Sequence, residues 1–359
     1  MPSQETLRQR LGLLSKRDWQ DVVDACVAWQ LSHTKLTRVG HDGLFLIPVD
    51  IDVSVLEDTA SRKEGISRTY HNVDGYAPIF CHAGSEGYMV ANELRPGRQH
   101  SAKGAVEFLK RCIRILLKAG YEAEELLVRV DSGHDASDFS KALEGLGVHY
   151  LVKRNPRAED LRQLLDSIRN DAETRTPRPG KKVFHGTRAD RKPAEFAEDA
   201  HFGGFMVVEG IERTSLANGQ GLLIPEIEVD SWWTNLPFSV GQCVALYHDH
   251  GTSEQFHSEL KSDMGVELLP SGTFAVNSLV LGLAAIAFNC LRFIGQKALP
   301  HQTPSSPSRA LPLRHRLRIV LLDFIKVGCK VVKHAGQTLL KFGRNCHCFT
   351  ILKEIYANC

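Results

Sequence analysis

The first 153 residues alternate between short apolar runs and segments with helical periodicity. A continuous apolar run at 44–56 is typical of a buried strand. Two further strands are expected at 71–83 and 87–95, because the Gly-Ser-Glu-Gly sequence near their junction favours a hairpin turn. Apolar residues three and four positions apart then predict a helix at 102–119, which Gly120 ends. The pattern continues with a strand at 125–131, a helix at 136–146 and a strand at 148–153.

Three hairpin-linked strands followed by alternating helices and strands are the element order of the ribonuclease H-like fold. This order predicts an α/β fold in which helices flank a mixed sheet. In such sheets, functional sites gather at the carboxyl ends of strands. The candidate chemistry is therefore expected where these strands end.

Changes in composition divide the chain into five segments. Dense charges and recurring Gly and Pro enclose short β-like runs in the third segment, which predicts an inserted subdomain. The predicted segments are a helical N-terminal segment at 1–40, the first part of a ribonuclease H-like core at 41–153, an inserted mainly β subdomain at 154–240, a helical second part of the core at 241–298, and a linker with a basic helical tail at 299–359, including a helix at 314–335.

An uncharged stretch of nineteen residues runs from 273 to 291. Its length alone permits a membrane span. Asn277, Gly282 and Asn289 interrupt it, and the preceding chain has the pattern of a soluble domain. We therefore expect a buried helix that flanks the sheet, and no membrane partner.

Acidic residues stand at the ends of two predicted strands. Asp50 and Asp52 are two positions apart, so both side chains leave the same face of their strand, and Asp131 ends a later strand. Burying a carboxylate in an apolar strand is costly unless a cation or hydrogen bonds compensate. The pattern indicates a site, with a strand end entering a turn or a helix N-cap as the structural alternatives.

A third acidic group lies on the helix predicted at 247–264. Polar side chains at steps of three or four residues share one face of this helix. They are Tyr247, His250, Glu254, Ser258 and Lys261. Such a face is either solvated surface or part of a site. Acids delivered by two strands and one helix are able to bind a pair of divalent metal ions, which favours a site.

Composition limits the class of protein further. The 359 residues are 43% hydrophobic and 24% charged, as in an ordinary globular protein. Nine cysteines without a regular disulfide framework, and no visible signal-peptide pattern, predict a reducing cytoplasm.

Residues 301–359 contain ten Lys and Arg against two acids, whereas the remainder has 34 basic and 40 acidic residues. A basic tail favours a polyanionic partner, with a solvated helix face as the alternative.

Three motifs occur in order along the chain. The first is Asp52-Val53-Ser54 and the second is Asp131-Ser132-Gly133, each at a predicted strand end. The third motif comprises Tyr247, His250, Glu254 and Lys261. Together they resemble the signatures of DDE-type insertion-sequence transposases, most closely the insertion sequence 1380 family, which has Arg where this chain has His250. The segment Leu-Arg-Pro-Gly at 94–97 is also similar to that family.

The resemblance implies an enzyme that cuts the ends of a mobile element and uses the freed 3′-hydroxyls to attack target DNA. It implies Asp52, Asp131 and Glu254 as catalytic residues and metal ligands, with Asp50 as the alternative first acid. Two Mg²⁺ ions, with Mn²⁺ as a substitute, would activate the attacking water and stabilise the leaving oxygen. Carboxylates suit this role because Mg²⁺ prefers hard oxygen ligands.

DNA-contacting residues are expected around this centre. Lys261 is expected to contact a phosphate near the cut, and His250 to do the same or to assist protonation. Tyr247 and Arg95 are further expected DNA contacts. The pair Trp232-Trp233 is able to stack on an unpaired base, although core packing is the favoured alternative for these side chains. The implied partners are double-stranded DNA, as terminal inverted repeats and target, and further copies of the chain on paired DNA ends in the bacterial nucleoid. Relative to the family, the helical N-terminal region is expected to be shortened.

Other classes of protein are alternatives. A catalytically silent or truncated transposase-derived protein that only binds DNA would retain the same three acids. A zinc hydrolase would use His248, Asp249, His250 and His257, but positions two apart on a helix point to different faces. An integral membrane protein would rest on the uncharged stretch alone.

Overall fold

The computed structural model describes residues 3–60, 62–188, 203–299, 312–344, 346 and 348–357. Its strands are β1 (Val39–His41), β2 (Leu44–Val53), β3 (Leu56–Glu57), β4 (Ser67–Arg68), β5 (Asp74–Tyr76), β6 (Ile79–Ala83), β7 (Tyr88–Glu93), β8 (Leu126–Val130), β9 (His149–Lys153), β10 (Glu173–Arg178), β11 (Lys181–Arg188), β12 (Phe205–Ser215), β13 (Gly221–Thr234), β14 (Cys329–His334) and β15 (Gln337–Phe342). Its α-helices are α1 (Gln4–Leu14), α2 (Trp19–Ser32), α3 (Ala105–Lys118), α4 (Ser137–Leu146), α5 (Leu161–Ile168), α6 (Val240–His248), α7 (Ser253–Ser258), α8 (Phe274–Ala298), α9 (Leu317–Val320) and α10 (Phe349–Ala357).

The centre of the molecule is a mixed sheet built on β2. β6 pairs antiparallel with β2, and β7 pairs antiparallel with β6, as expected for hairpin-linked strands. β8 pairs parallel with the other side of β2, and β9 pairs parallel with β8. These parallel neighbours need helical crossovers, which α3 and α4 provide. The order β7-β6-β2-β8-β9 is that of a ribonuclease H-like sheet and confirms the predicted fold class.

Helices lie on both faces of this sheet. Alternate residues of β2 point to opposite faces, so Asp50 and Ile51 face different layers. Ile51 pairs with Cys81, whose thiol lies against Cys112 of α3. On the face of Asp50, a backbone carbonyl of α6 accepts a hydrogen bond from Arg129. The acidic side chains of β2 therefore point toward α6 and the helical segments that follow it.

Strands β10 to β13 extend the same sheet. β13 pairs antiparallel with β9, with Trp233 opposite Val152. β12 pairs with β13 along most of its length, and β11 and β10 follow in antiparallel order. The segment predicted as an inserted β subdomain thus adds strands to the edge of the central sheet, and α5 packs against them.

The uncharged stretch lies in α8, which packs against β7 and α2. Among the described residues, α8 is the one helix that is long and apolar enough to cross a membrane. Polar side chains of α8 form hydrogen bonds inside the protein. The Asn289 Oδ1 accepts a hydrogen bond from the Met89 N–H, and its Nδ2 donates one to the Met89 carbonyl, each at 2.8 Å. Arg292 forms a buried ion pair with Glu259 at 2.7 Å. These contacts confirm the prediction of a buried helix that flanks the sheet.

The helix predicted at 247–264 is divided into segments of different pitch. α6 ends at His248, a 3₁₀ turn spans Asp249–Thr252, and a π-helical turn follows α7 at Glu259–Asp263. Each change in pitch rotates the following side chains about the helix axis. The predicted polar face is therefore not continuous, and His250 is buried whereas Glu254 is exposed.

The prediction of a helix at 314–335 is correct only for its first part and wrong after residue 325. α9 continues as a π-helical turn at Leu321–Ile325, and the chain then forms the β14–β15 hairpin. The hairpin turn uses Ala335 and Gly336, both with positive φ (48° and 76°), as tight two-residue hairpin turns require. The preceding β-branched valines favour a strand. The predicted linker lies mostly at 300–311, outside the described residues.

Candidate active site

Asp52 lies at the carboxyl end of β2, where the strand leaves the apolar core. Its Oδ1 accepts a hydrogen bond from the backbone N–H of Val53 at 2.7 Å, and the side chain is 23% exposed. Burial first, and then the negative charge of Asp131, raise the pKa of Asp52 to about 6. The two carboxylates therefore lie within electrostatic reach of each other, as expected for the ends of adjacent parallel strands.

Asp131 follows β8 and caps the 3₁₀ turn Ser132–His134. Its Oδ1 accepts hydrogen bonds from the Gly133 N–H at 3.1 Å and from Nδ1 of His134 at 2.8 Å. Burial raises the pKa of Asp131, but His134 and the Gly133 N–H together outweigh burial, so the pKa lies below its ordinary value. Asp131 is thus both a cap and a member of an acidic pair that is largely ionised at neutral pH.

His257 lies against Asp52, with Nδ1 3.7 Å from Oδ2. Burial first, and then the positive charge of Lys261, lower the pKa of His257 to about 3. The imidazole is therefore neutral at physiological pH, and its approach to Asp52 is not an ion pair. Nε2 of His257 is buried and has no hydrogen-bond partner in the described parts of the chain.

Asp50 has a structural role instead of a place at the surface. It is 2% exposed, and both of its oxygens accept hydrogen bonds from Arg129, at 2.7 and 2.8 Å. Nδ1 of His250 lies 2.9 Å from the same carboxylate. Burial raises the pKa of Asp50, but the charges and hydrogen bonds of Arg129 and His250 hold it well below the ordinary range. This buried cluster joins β2, β8 and the helical segment after α6, and it favours Asp52 over Asp50 as the accessible acid.

A surface cavity of about 580 Å³ opens beside Asp52. Glu254 of α7 and Lys261 of the following π-helical turn line the same cavity. Glu254 is exposed and Lys261 is half-buried. Burial lowers the pKa of Lys261, although the charges of Glu267 and Asp52 oppose this effect. The structure thus places three of the predicted site residues at one cavity.

The three predicted acids do not form a ready-made metal site. Within the residues that the structure describes, no group of three or more His, Cys, Asp or Glu side chains is arranged to hold a metal ion. Asp52 and Asp131 form an interacting pair, whereas Glu254 lines the cavity as an exposed side chain.

The alternative zinc centre is not assembled either. His248 is exposed, whereas His250 and His257 are buried. His250 is bound to the Asp50 carboxylate, so its Nδ1 is already engaged. These imidazoles lie in different surroundings, as their positions on the broken helix imply.

Several residues predicted to contact DNA lie in the interior, which contradicts a direct contact. The exposed fractions are 1% for Arg95, 1% for Trp232, 5% for Trp233 and 7% for His250. Arg95 is held by a neighbouring carboxylate and a backbone carbonyl, and the tryptophans pack between sheet and helices. Tyr247 is half-buried, with its ring centroid 5.4 Å from that of Trp232. Lys261 is the predicted DNA-contacting residue that lines the cavity.

Arg129 and Tyr70 also lie near the acids, although the sequence did not predict it. Arg129 is a charge within the otherwise apolar strand β8, and such a charge indicates a buried partner across the sheet. Tyr70 lies in a turn, and its hydroxyl donates a hydrogen bond to the Val53 carbonyl at 2.8 Å. The sequence contains no signal for this contact, because it joins a turn to a strand end through folding alone.

The fold and the site together are a mixed ribonuclease H-like sheet with carboxylates at the ends of two adjacent parallel strands. The family model described as "Transposase DDE domain group 1" matches residues 46–359, so the chain belongs to this DDE transposase family. The match confirms the resemblance to DDE-type transposases.

Other comparisons are more distant. No curated protein sequence is significantly similar to this chain. A solved structure described as "Cryo-EM structure of piggyBac transposase synaptic complex with hairpin DNA" is similar, with 10% sequence identity and a TM-score of 0.43. The similarity covers 76% of this chain and 50% of that chain, so this chain spans about half the length of the piggyBac transposase.

Proposed function

We propose that this protein is a DNA transposase that cuts the ends of a bacterial insertion sequence and joins the freed 3′-hydroxyls to target DNA. The observation that carries this proposal is the carboxylate pair of Asp52 and Asp131 at the ends of adjacent parallel strands. Membership of a DDE transposase family supports the same chemistry.

The carboxylate pair fits divalent metal ions. Asp52 and Asp131 supply hard oxygen donors, which Mg²⁺ prefers. Their repulsion, which contributes to the raised pKa of Asp52, would be relieved by a cation between them. Hydrogen bonds from Val53 and His134 orient one oxygen of each carboxylate, as the groups behind metal ligands commonly do. We infer Mg²⁺ as the ion, with Mn²⁺ as a substitute.

When bound, two such ions would supply activation of the attacking oxygen and stabilisation of the leaving oxygen. Glu254 would complete the site by approaching the acidic pair from its exposed position on α7. The 3₁₀ and π-helical turns on either side of this short helix are irregular, which makes a small adjustment possible. Lys261 would bind a phosphate next to the cut, because a half-buried ammonium gains strongly from an anionic partner.

The basic tail would supply a second contact with DNA. Lys330 and Lys341 lie directly opposite each other in the β14–β15 hairpin, and both are exposed. Like charges in such a pair destabilise the hairpin unless an anion lies near them. DNA phosphates would be that anion, giving contacts without sequence preference. Cutting and joining of paired DNA ends would also require copies of the chain to associate with each other. The reaction would take place in the bacterial cytoplasm.

Metal-dependent nicking of supercoiled plasmid DNA tests this proposal. The variants Asp52→Asn, Asp131→Asn and Glu254→Gln each remove one negative charge with little change in shape. The matched control is Glu57→Gln, which alters an exposed acid at the same cavity. We expect nicking with Mg²⁺ or Mn²⁺ by the unchanged chain and the control, and a loss of about 100-fold or more in the three variants. DNA binding, measured in parallel, should persist in all of them.

The possible outcomes separate the candidate functions. Nicking that survives in one acid variant would remove that residue from the site. DNA binding without nicking by the unchanged chain would favour a transposase-derived protein that only binds DNA. Among the described residues, no three acidic, His or Cys side chains are already arranged to hold a metal ion, and this observation favours the second candidate.

A further inference from the structure

An aromatic side chain is exposed on the wall of the acidic cavity. Tyr70 is 61% exposed, and it lines the cavity together with Asp52 and Glu254. Burial at the hydroxyl end first, and then the charges of Asp52 and Asp131, raise the pKa of Tyr70 to about 12. The hydroxyl therefore lies in the electric field of both strand-end acids, while much of the side chain faces solvent.

The turn that carries Tyr70 is rigidly bonded. The Thr69 N–H donates to the Val73 carbonyl at 2.9 Å, and the Asn72 N–H donates to the Thr69 carbonyl at 3.0 Å. Asn72 has a φ of 60°, a left-handed conformation that asparagine tolerates in tight turns. At the other end of the side chain, the Tyr70 hydroxyl is bonded to the Val53 carbonyl. Because both ends are fixed, the ring presents a preorganised face.

The chemistry of this face suits a nucleobase. A base offers a flat π surface, and every base is able to stack on a tyrosine ring. The side chains of Trp232 and Trp233 are buried, so their rings are not available to stack on a base. A base inside a duplex has both faces covered by its neighbours, so the stacked base must be unpaired or rotated out of the helix. His71 lines the same wall, with its ring centroid 4.3 Å from that of Tyr70.

We propose that the ring of Tyr70 stacks on an unpaired nucleobase next to the phosphate that is cut. This rests on the proposed function, because it takes the strand-end acids as the cutting centre. The bond from the hydroxyl of Tyr70 to Val53, the residue after Asp52, ties the position of the stacked base to that of the metal-binding carboxylate. Tyr70 is thus a DNA-binding residue that aligns the strand with the acids.

Photocross-linking tests the stacking directly and does not require cleavage. The full chain is mixed with a forked DNA whose unpaired arm carries 5-iodouracil, and cross-linked peptides are identified by mass spectrometry. We expect a cross-link at Tyr70. Affinity for the unpaired arm should fall roughly 5- to 100-fold in Tyr70→Leu, the range that one base–aromatic stack supplies. Tyr70→Phe keeps the ring and should retain both the cross-link and most of the affinity.

A matched control is Trp29→Leu, which removes another exposed aromatic ring, 66% exposed, from α2. It should leave binding of the unpaired arm unchanged. Equal loss of affinity in Tyr70→Phe and Tyr70→Leu, with no cross-link at Tyr70, would overturn the proposal and assign the side chain to holding the turn. A cross-link at Tyr70 supports stacking even if the chain fails to nick plasmid DNA, so failure of the proposed function is seen separately.

Discussion

Replacing Asp52 by asparagine should stabilise the metal-free protein, although it removes a residue of the proposed site. Asp52 is largely buried beside Asp131, and its pKa is raised from the ordinary value of 3.8 to about 6. Folding therefore disfavours its ionised form. Asparagine has nearly the same shape, cannot ionise, and keeps an oxygen that is able to accept the hydrogen bond from Val53.

The sign and size of the effect follow from these two pKa values of Asp52. Well below pH 3.8 the carboxyl group is protonated in both the folded and the unfolded chain, so ionisation of Asp52 contributes no difference in stability between the two proteins. Between about pH 4 and 6 the folded chain binds more protons, so the free energy of unfolding of the unchanged protein falls as pH rises. The pKa difference between 3.8 and about 6 corresponds to about 1.4 kcal/mol per pH unit. Above about pH 6, the free energy of unfolding of Asp52→Asn should therefore exceed that of the unchanged protein by roughly 3 kcal/mol.

Urea unfolding between pH 4 and 8, followed by tryptophan fluorescence, measures this difference. Asp171→Asn, which changes an exposed aspartate in another part of the chain, serves as the matched control. Adding Mg²⁺ should narrow the gap, because the ion stabilises only the folded protein that holds it. An unfolding midpoint at pH 7 that is unchanged or lower in Asp52→Asn would refute the account of an electrostatically strained acidic pair.

Three further predictions concern the scaffold and the tail. Arg129→Met should cost about 3–5 kcal/mol of unfolding free energy, because it leaves the Asp50 carboxylate buried without its guanidinium partner. Gly87→Ala should cost about 2–4 kcal/mol, because φ is 72° and the new Cβ would lie 2.3 Å from a buried aromatic ring. Replacing Lys330 and Lys341 together by Gln should reduce the salt dependence of DNA binding, lowering the slope of log K against log salt by about 2.

Each of these predictions has a contradicting result. Chemical denaturation measures the first two, and adding Asp50→Asn to Arg129→Met should recover part of the lost stability. No recovery would show that the charge left behind is not the cause. A Gly87→Ala protein as stable as the parent would contradict the tight packing at that turn. An unchanged salt slope in the double lysine variant would remove the hairpin from the DNA interface.

The element order of the core was predictable because its strands are short, mostly apolar segments that end at a turn signal or an acid. Asp52 and Asp131 follow directly from that pattern, since parallel strands place their carboxyl ends at the same edge of the sheet. Asp50 shares the face of Asp52, so periodicity alone could not separate the two. Their different roles depend on Arg129 and His250, which reach Asp50 from distant parts of the chain.

Other features depend on tertiary contacts that sequence patterns do not encode. Arg95 was predicted at a DNA surface, but packing against neighbouring elements buries it. For the pair Trp232-Trp233 the sequence left DNA stacking and core packing open, and the side chains are buried. The helical steps around His250 predicted one polar face, which changes of helix pitch divide. The β14–β15 hairpin was missed because its basic residues fit an amphipathic helix as well as a strand, and the turn at Ala335 and Gly336 decides between them.

Electron paramagnetic resonance of Mn²⁺ added to the unchanged chain, Asp52→Asn and Asp131→Asn measures whether the strand-end carboxylates hold a metal ion. Glu57→Gln provides the control at the same cavity. We expect each aspartate variant to bind Mn²⁺ much more weakly, while the control binds it like the unchanged chain. Equal Mn²⁺ binding by all four proteins would show that the strand-end carboxylates do not hold the ion, and would contradict the proposed reaction centre.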